Sequence, residues 1–242
     1  MRVDRQVEPH RLFEVEVDVR LEGRFRTDEP EPAGLWPGPT ELAERIRLVA
    51  VGLDAPCLES LGLAVGKALV DDVAPASRAA VELAERRWLP ASDTGHGARM
   101  VGGERHTARV IVDAGGARVR AGLLELGLLQ TGAGDGALLF GDRLRAVWDY
   151  RQTSEVDYPS ARRQVRNLLI EVFARSDAST PRRILWDMGV GVLSSMPEIW
   201  RLELVLPQLP CHAVPGPDGS DGAFYVPMIE PAGRIEVVLE RT

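Results

Sequence analysis

The stretch Leu206–Val214, LPQLPCHAV, sets a cysteine beside a histidine after two prolines. A thiol next to an imidazole is the raw material of a nucleophile–base pair or of a metal site. Neither is complete here. A catalytic thiolate needs a separately oriented base, and a zinc site needs further Cys or His residues at CxxC or HxxxH spacing. Nothing around Cys211 and His212 supplies them, so the plainer reading is a strand end leaving its sheet at Pro207 and Pro210. GAGDG (Gly132–Gly136) has phosphate-loop glycines, lacks the following Gly-Lys-Ser/Thr and precedes a strand-like segment, so it reads as a hairpin turn. TGHG and VGGER fail the same test. Thr40 and Glu41 in PTELAER place a hydroxyl and a carboxylate where both suit the field at a helix start. Lys67 is the single lysine among 29 basic residues, so a mechanism needing a lysine base has one candidate in this sequence.

The elements that must position these residues come in the same order twice, which suggests an internal duplication. RLFEVEVDVRLEG alternates apolar and charged residues over Leu12–Leu21, the pattern of a strand with one buried face. A proline- and glycine-rich loop separates it from the helix TELAERIRLVAVGL, for which Thr40 is the candidate N-cap. Pro56 opens a second helix through about Asp72. VELAERRWLP and ARMVGGERHTARVIVD read as two further strands, the latter bent at Gly102–Gly103. In the second half, ARVRAGLLELGLLQT and LLFGDRLRAVWDY are strands joined by GAGDG. YPSARRQVRNLLIEVFARSD carries Val165, Leu168, Leu169, Val172 and Phe173 at helical spacing. STPRRILWDMGVGVLSSM is a helix capped by Ser179 or Thr180, and IWRLELVLP and GRIEVVLER are closing strands. Both halves thus read strand, strand, helix, helix, strand, strand, with the first strand of the first half short or missing. The implied architecture is α+β: two modules, 1–114 and 115–242, each an antiparallel sheet with paired helices on one face. The other sheet face then needs a cover, which oligomerisation usually provides.

Bulk properties narrow the classes. The 242 residues are 45% hydrophobic and 27% charged, with a net charge of −7, which disfavours phosphate-driven binding of nucleic acid. No apolar run approaches the roughly 18 residues of a membrane span, and the first residues, MRVDRQVEPH, form no apolar signal segment. Two cysteines make no disulfide framework. The expectation is a cytoplasmic protein without membrane or nucleic-acid partners.

A resemblance emerges in the C-terminal quarter. RILWDMGVGVLSSMPEIWRLELVLP, followed by FYVPMIEPAGRIEVVLER, resembles the end of the factor-independent urate oxidases (uricases). That family reads Tyr-Asp-Met-Gly in this helix, Pro-Glu-Ile before the strand, Leu-Pro-Asn-Lys-His after it, and Glu-Val-Phe-Tyr with Gly-Leu-Ile-Glu near the close. FEVEVDVRLEG, HGARMVGGERHTARV and GDRLRAVWDY are similar to earlier strands of the family. The resemblance implies a tandem of tunnelling-fold (T-fold) modules, a homotetramer, no metal and no cofactor, and a small heterocyclic substrate together with O2.

Carried over position by position, it implies that Thr40 keeps the family's threonine of the proton-removing pair, while Glu41 replaces the adjoining aspartate. Arg143 keeps the arginine that clamps the purine edge, and Arg182 stands where the family has glutamine. Phe140 is the substitute for the stacking phenylalanine, whose direct register falls near Gly136. Gln208 replaces the oxygen-side asparagine and Pro210 the nearby histidine; His212 lies two residues late, roughly 6–7 Å along an extended chain. The family's base lysine has no counterpart, because the sequence begins at MRV about where that strand starts and Lys67 falls in a helix of the first half. Two expectations follow from these alterations. One is a divergent cofactor-independent oxidase or oxygenase acting on a urate-like heterocycle, with Glu41 or a water as base. The other is a catalytically silent homologue acting as a binding or structural subunit, alone or with an active relative that supplies the lysine.

Overall fold

The computed structural model describes residues 2–4, 11–24, 38–53, 57–73, 76–91, 98–131, 139–176, 180–208, 211–214, 224–227 and 233–241. Strands Arg2–Asp4 (β1) and Arg11–Gly23 (β2) come first. Helices Pro39–Val51 (α1) and Leu58–Asp72 (α2) follow, then Ala76–Pro90 (β3), Ala98–Met100 (β4) and Arg105–Asp113 (β5). A tight turn at 114–115 leads into Gly116–Thr131 (β6) and Leu139–Tyr150 (β7). Next come Tyr158–Arg175 (α3), Pro181–Ser195 (α4) and Ile199–Gln208 (β8), the short strands Cys211–Val214 (β9) and Phe224–Pro227 (β10), and the closing Gly233–Glu240 (β11). The main sheet runs β1-β2-β3-β5-β6-β7-β8-β11, antiparallel throughout, with β4 on β3. The period-two pattern of RLFEVEVDVRLEG is realised as β2, which pairs with β3 along nearly its full length.

Helix starts differ from expectation in instructive ways. The helix containing Thr40 begins one residue earlier, because Pro39 is preset for the first helical position. Gly38 is therefore the N-cap, with no side-chain cap, and Thr40 is not the cap it was expected to be. In α2 the cap is Cys57, whose Sγ accepts from the Ser60 N–H while the Ser60 hydroxyl receives the Cys57 N–H. Pro56 lies outside the described residues. Thr180 caps α4 by accepting from the Arg183 N–H, and Asp157 caps α3. The strand expected from ARMVGGERHTARVIVD is split into β4 and β5 around Gly103, whose φ of 91° only glycine adopts without strain. CHAV is itself a strand rather than a frayed end: β9 pairs with β10, with His212 opposite Val226. GAGDG lies outside the described residues.

The helices pack on one face of the sheet, over two apolar clusters. One gathers α2 with β3 and Ala108; the other runs from Val110 through β6, β7, α3, α4 and β8 to Leu239. α2 sits so close to the sheet that a Cβ at Gly66 would meet Val112 Cγ2 at 2.7 Å. The opposite face is not apolar. It carries cross-strand ion pairs: Arg109–Glu82 at 3.3 Å, Arg120–Asp149 at 2.7 Å and Arg145–Glu203 at 2.8 Å. Charged pairs of this kind tolerate water, so the uncovered face does not by itself demand an apolar cover.

Candidate functional site

The residues singled out by sequence fall at two opposite ends of the sheet. At one end are Phe140, Arg143, Arg182 and Gln208. Arg143 is on the uncovered face of β7, opposite Gly127 of β6, and Phe140 is opposite Gln130. Gln130 donates Nε2–H to the Ser176 carbonyl at 2.6 Å, which ties the far end of β6 to the exit of α3, just before α4 begins. Arg241, beyond β11, donates to the Leu193 and Met196 carbonyls at the C-terminal end of α4. The N-terminal end of α4, with Arg182, is therefore directed toward the start of β11, where Gly233 pairs with Gln208. The side chains of Phe140 and His212 lie outside the described residues.

This end is built by an irregular β6. Its register shifts between Leu123 and Leu126, and Glu125 there takes φ 58°, uncommon for a non-glycine residue. The Glu125 carboxylate lies 3.8 Å from the exposed Arg143 guanidinium. Opposite, Gly141 has φ 131°, and a Cβ there would fall 2.1 Å from the Leu128 carbonyl oxygen, so the β6–β7 approach admits only glycine. Arg182 is exposed. Its neighbour Arg183 is held by Asp187 at 3.0 Å, whereas Arg182 has no such partner among the described residues. Two guanidinia, one loosely paired and one free, can only donate hydrogen bonds, and so suit an anionic or acceptor-rich ligand.

Thr40 and Glu41 are elsewhere. Glu41 accepts from its own helix neighbour Arg45 at 2.9 Å, and Arg45 reaches Asp72 at the end of α2 at 3.7 Å. α2 passes Val110 at Gly62 and Val112 at Gly66, so it runs toward the turn that precedes Gly116. From Gly116 to Gly127 along β6 is roughly 35 Å. Within one chain, then, Thr40 and Glu41 do not meet Arg143, Arg182 or Gln208. Lys67 is exposed on α2.

A second constellation went unnoticed in the sequence. On the helix side, where α2 and α3 meet over β3 and β5, His106 lies with Nδ1 2.9 Å from Glu85 and Nε2 3.2 Å from Glu104. Glu104 also accepts from Arg87 at 3.1 Å and from Arg166 at 2.7 Å. Arg162 bonds the fully buried Glu59 and approaches Glu85 at 3.9 Å. Hydrogen bonding from His106, reinforced by Arg166 and Arg87, holds the Glu104 carboxyl down to about 2. Burial pushes Glu85 up, but its bond to His106 and the nearby cations outweigh it, and the net shift is downward. Burial likewise presses His106 toward neutrality, and the two carboxylates overcome it, raising its value. Burial raises the Cys57 thiol, against the lowering from its bonds with Ser60, which favours the protonated thiol over the thiolate. The one signal available was Glu104-x-His106, which period two places on one face. Among the described residues, no three His, Cys, Asp or Glu side chains group so as to hold a metal ion.

Comparison with known proteins bears on the first of these ends. The uricase family model matches residues 136–236. The uricase of Arthrobacter globiformis is 31% identical over 100 residues, 40% of this chain; the match spans about a third (32%) of that protein's length. Its crystal structure superposes with a TM-score of 0.87 at 21% identity, covering 99% of this chain and 89% of that one. The uricase from Bacillus fastidious follows at 0.79 and 18% identity, covering 94% and 81%. The fold is thus α+β, the tandem tunnelling fold of these uricases, as the sequence resemblance implied.

Proposed function

We propose that this chain, whose residues 136–236 match the uricase family model, is a divergent member of that family, holding a pocket for a urate-like anionic heterocycle and acting there as a cofactor-independent oxidase or oxygenase rather than an efficient urate oxidase. One observation carries the proposal: Arg143 and Arg182 stand unneutralised or nearly so at one end of the sheet, inside the family-matched segment 136–236, with Thr40 and Glu41 at the other end. A second copy placed head to tail would bring its Thr40 and Glu41 to the first copy's arginines. The two modules, 1–114 and 115–242, then act as the two ends of one half-site each, and the protein works as a cytoplasmic homo-oligomer. No helix among the described residues is long and apolar enough to cross a membrane.

The chemistry follows from what each group can do. The arginines hold the heterocycle as an anion, and Thr40 with Glu41 or a water accepts its proton. Two electrons then pass from the deprotonated heterocycle, which is left oxidised by two electrons, to O2, which takes the abstracted proton and one from solvent and leaves as hydrogen peroxide. Glu41 must first release Arg45. Gln208, at the end of β8, takes the place of the family's asparagine on the oxygen side; the family's histidine position is Pro210, with His212 two residues later. Since an oriented general base contributes about 10²–10⁴-fold, slow urate turnover is expected.

The direct test is urate consumption under air, read by loss of its near-ultraviolet absorbance and by O2 uptake. Slow turnover by the wild type, abolished by Arg143→Gln and by Thr40→Val, and partly restored on mixing the two variants after dissociation and reassembly, is the expected result. Turnover at an ordinary uricase rate would overturn the divergent role. Absence of both turnover and urate binding would overturn the pocket. A second assignment, a silent binding subunit, is favoured by one observation: Glu41 is committed to Arg45. It predicts saturable urate binding with no O2 uptake, unless an active relative is added.

A further inference from the structure

The cleft between α2 and α3 is a candidate ligand site separate from the Arg143 end, because it lies on the helix side of the sheet. Its volume is about 520 Å³, within the roughly 300–1,000 Å³ of small-molecule sites. Charge is unevenly matched in it. His106 presents both ring nitrogens to carboxylates at hydrogen-bonding distance. A neutral imidazole has one N–H and would set a lone pair against one of those oxygens, so the geometry requires the imidazolium. Five cations therefore converge: Arg87, His106, Arg162, Arg163 and Arg166. Among the described residues only three carboxylates answer them, Glu59, Glu85 and Glu104, and Glu104 alone is shared by three of the cations.

The excess has a location. Arg163 is exposed at the rim and has no carboxylate partner among the described residues. Deeper in, Arg162 is 7% exposed, and its Nε has no hydrogen-bond partner. A buried guanidinium N–H without an acceptor is costly, and the cleft Arg162 lines is where an acceptor would come from. Arg162, Arg163 and Arg166 project from adjacent positions of α3, while Phe13, Leu58 and Pro159 supply the apolar part of the wall.

We propose that this cleft binds a small organic oxyanion whose carboxylate or phosphate head is held by Arg162, Arg163 and Arg166 and whose apolar body rests on Phe13, Leu58 and Pro159. The head satisfies the Arg162 Nε–H and takes up the positive excess that three glutamates leave.

Titration calorimetry of the full purified chain tests it with two probes, sulfate for a phosphate-like head and benzoate for a carboxylate carrying a ring. Sodium chloride at equal ionic strength is the control. One saturable site per chain is expected for at least one probe, and the probe that saturates identifies the head. Arg163→Gln, an exposed and unpaired position, weakens that binding by about tenfold with an unchanged Tm. Arg143→Gln leaves it untouched, which separates this site from the proposed heterocycle pocket. Heats no larger than those of chloride, or binding that survives Arg163→Gln at full strength, would overturn the proposal.

Discussion

Arg162→Met cuts the tie between the two halves of the chain where it is best shielded from water. Glu59 on α2 is fully buried, Arg162 on α3 is 7% exposed, and the two bond across 103 positions of sequence. Removing the guanidinium strands a buried carboxylate, which typically costs about 3–5 kcal/mol. For a chain of this size that lowers Tm by roughly 10 °C, at ~2–4 °C per kcal/mol. Removing both charges is a different perturbation. Glu59 Oε2 and Arg162 Nε already lack partners, so the pair only partly recovers the cost of leaving water. Glu59→Leu combined with Arg162→Met should therefore regain more than half of what Arg162→Met loses, giving a coupling energy of about 2 kcal/mol or more in a double-mutant cycle. Urea unfolding followed by the fluorescence of the tryptophans, Trp148 among them fully buried, measures each corner. Losses that simply add would refute the reasoning, because the damage would then be packing rather than an orphaned charge.

Three other outcomes follow from the same geometry. His106 binds its proton more tightly folded than unfolded, so its contribution is complete below its ordinary value of 6.5 and fades as pH rises through the higher folded value. The Tm gap between wild type and His106→Gln should therefore be widest below pH 6.5 and close as pH rises above it. Glu104 has the opposite sign: its contribution is present above 4.5 and is lost as pH falls toward about 2, so Glu104→Gln should flatten the acid limb of the stability profile. Gly141→Ala forces a Cβ against the Leu128 carbonyl at a φ of 131°, and should cost at least about 2 kcal/mol in urea unfolding. Arg143→Gln and Arg182→Gln alter exposed side chains, so stability should stay within about 0.5 kcal/mol of wild type while urate binding falls.

The parts of the fold that were legible are those whose cause is local. RLFEVEVDVRLEG alternates because one face of β2 meets α1 and α2 and the other meets water, and the Val165–Phe173 spacing follows from one buried stripe on α3. The cap of α1 was misplaced because a hydroxyl at Thr40 is a weaker determinant than the fixed φ of Pro39 beside it. Arg143 and Arg182 could be nominated only through the family resemblance; nothing in their own neighbourhoods distinguishes them from the other surface arginines. The helix-side cleft was not legible at all. Its charges come from α2, β3, the turn before β5, β5 itself and α3, positions 59, 85, 87, 104, 106, 162 and 166, and no local pattern reports a juxtaposition made by the sheet. The same limit governs the opposite ends of the sheet. Thr40 and Arg143 were grouped because a family uses both, yet one chain holds them at opposite ends of the sheet. Residues that share a reaction need not share a chain, and under the head-to-tail arrangement proposed here the chemistry is decided as much by how two copies meet as by which side chains either one carries.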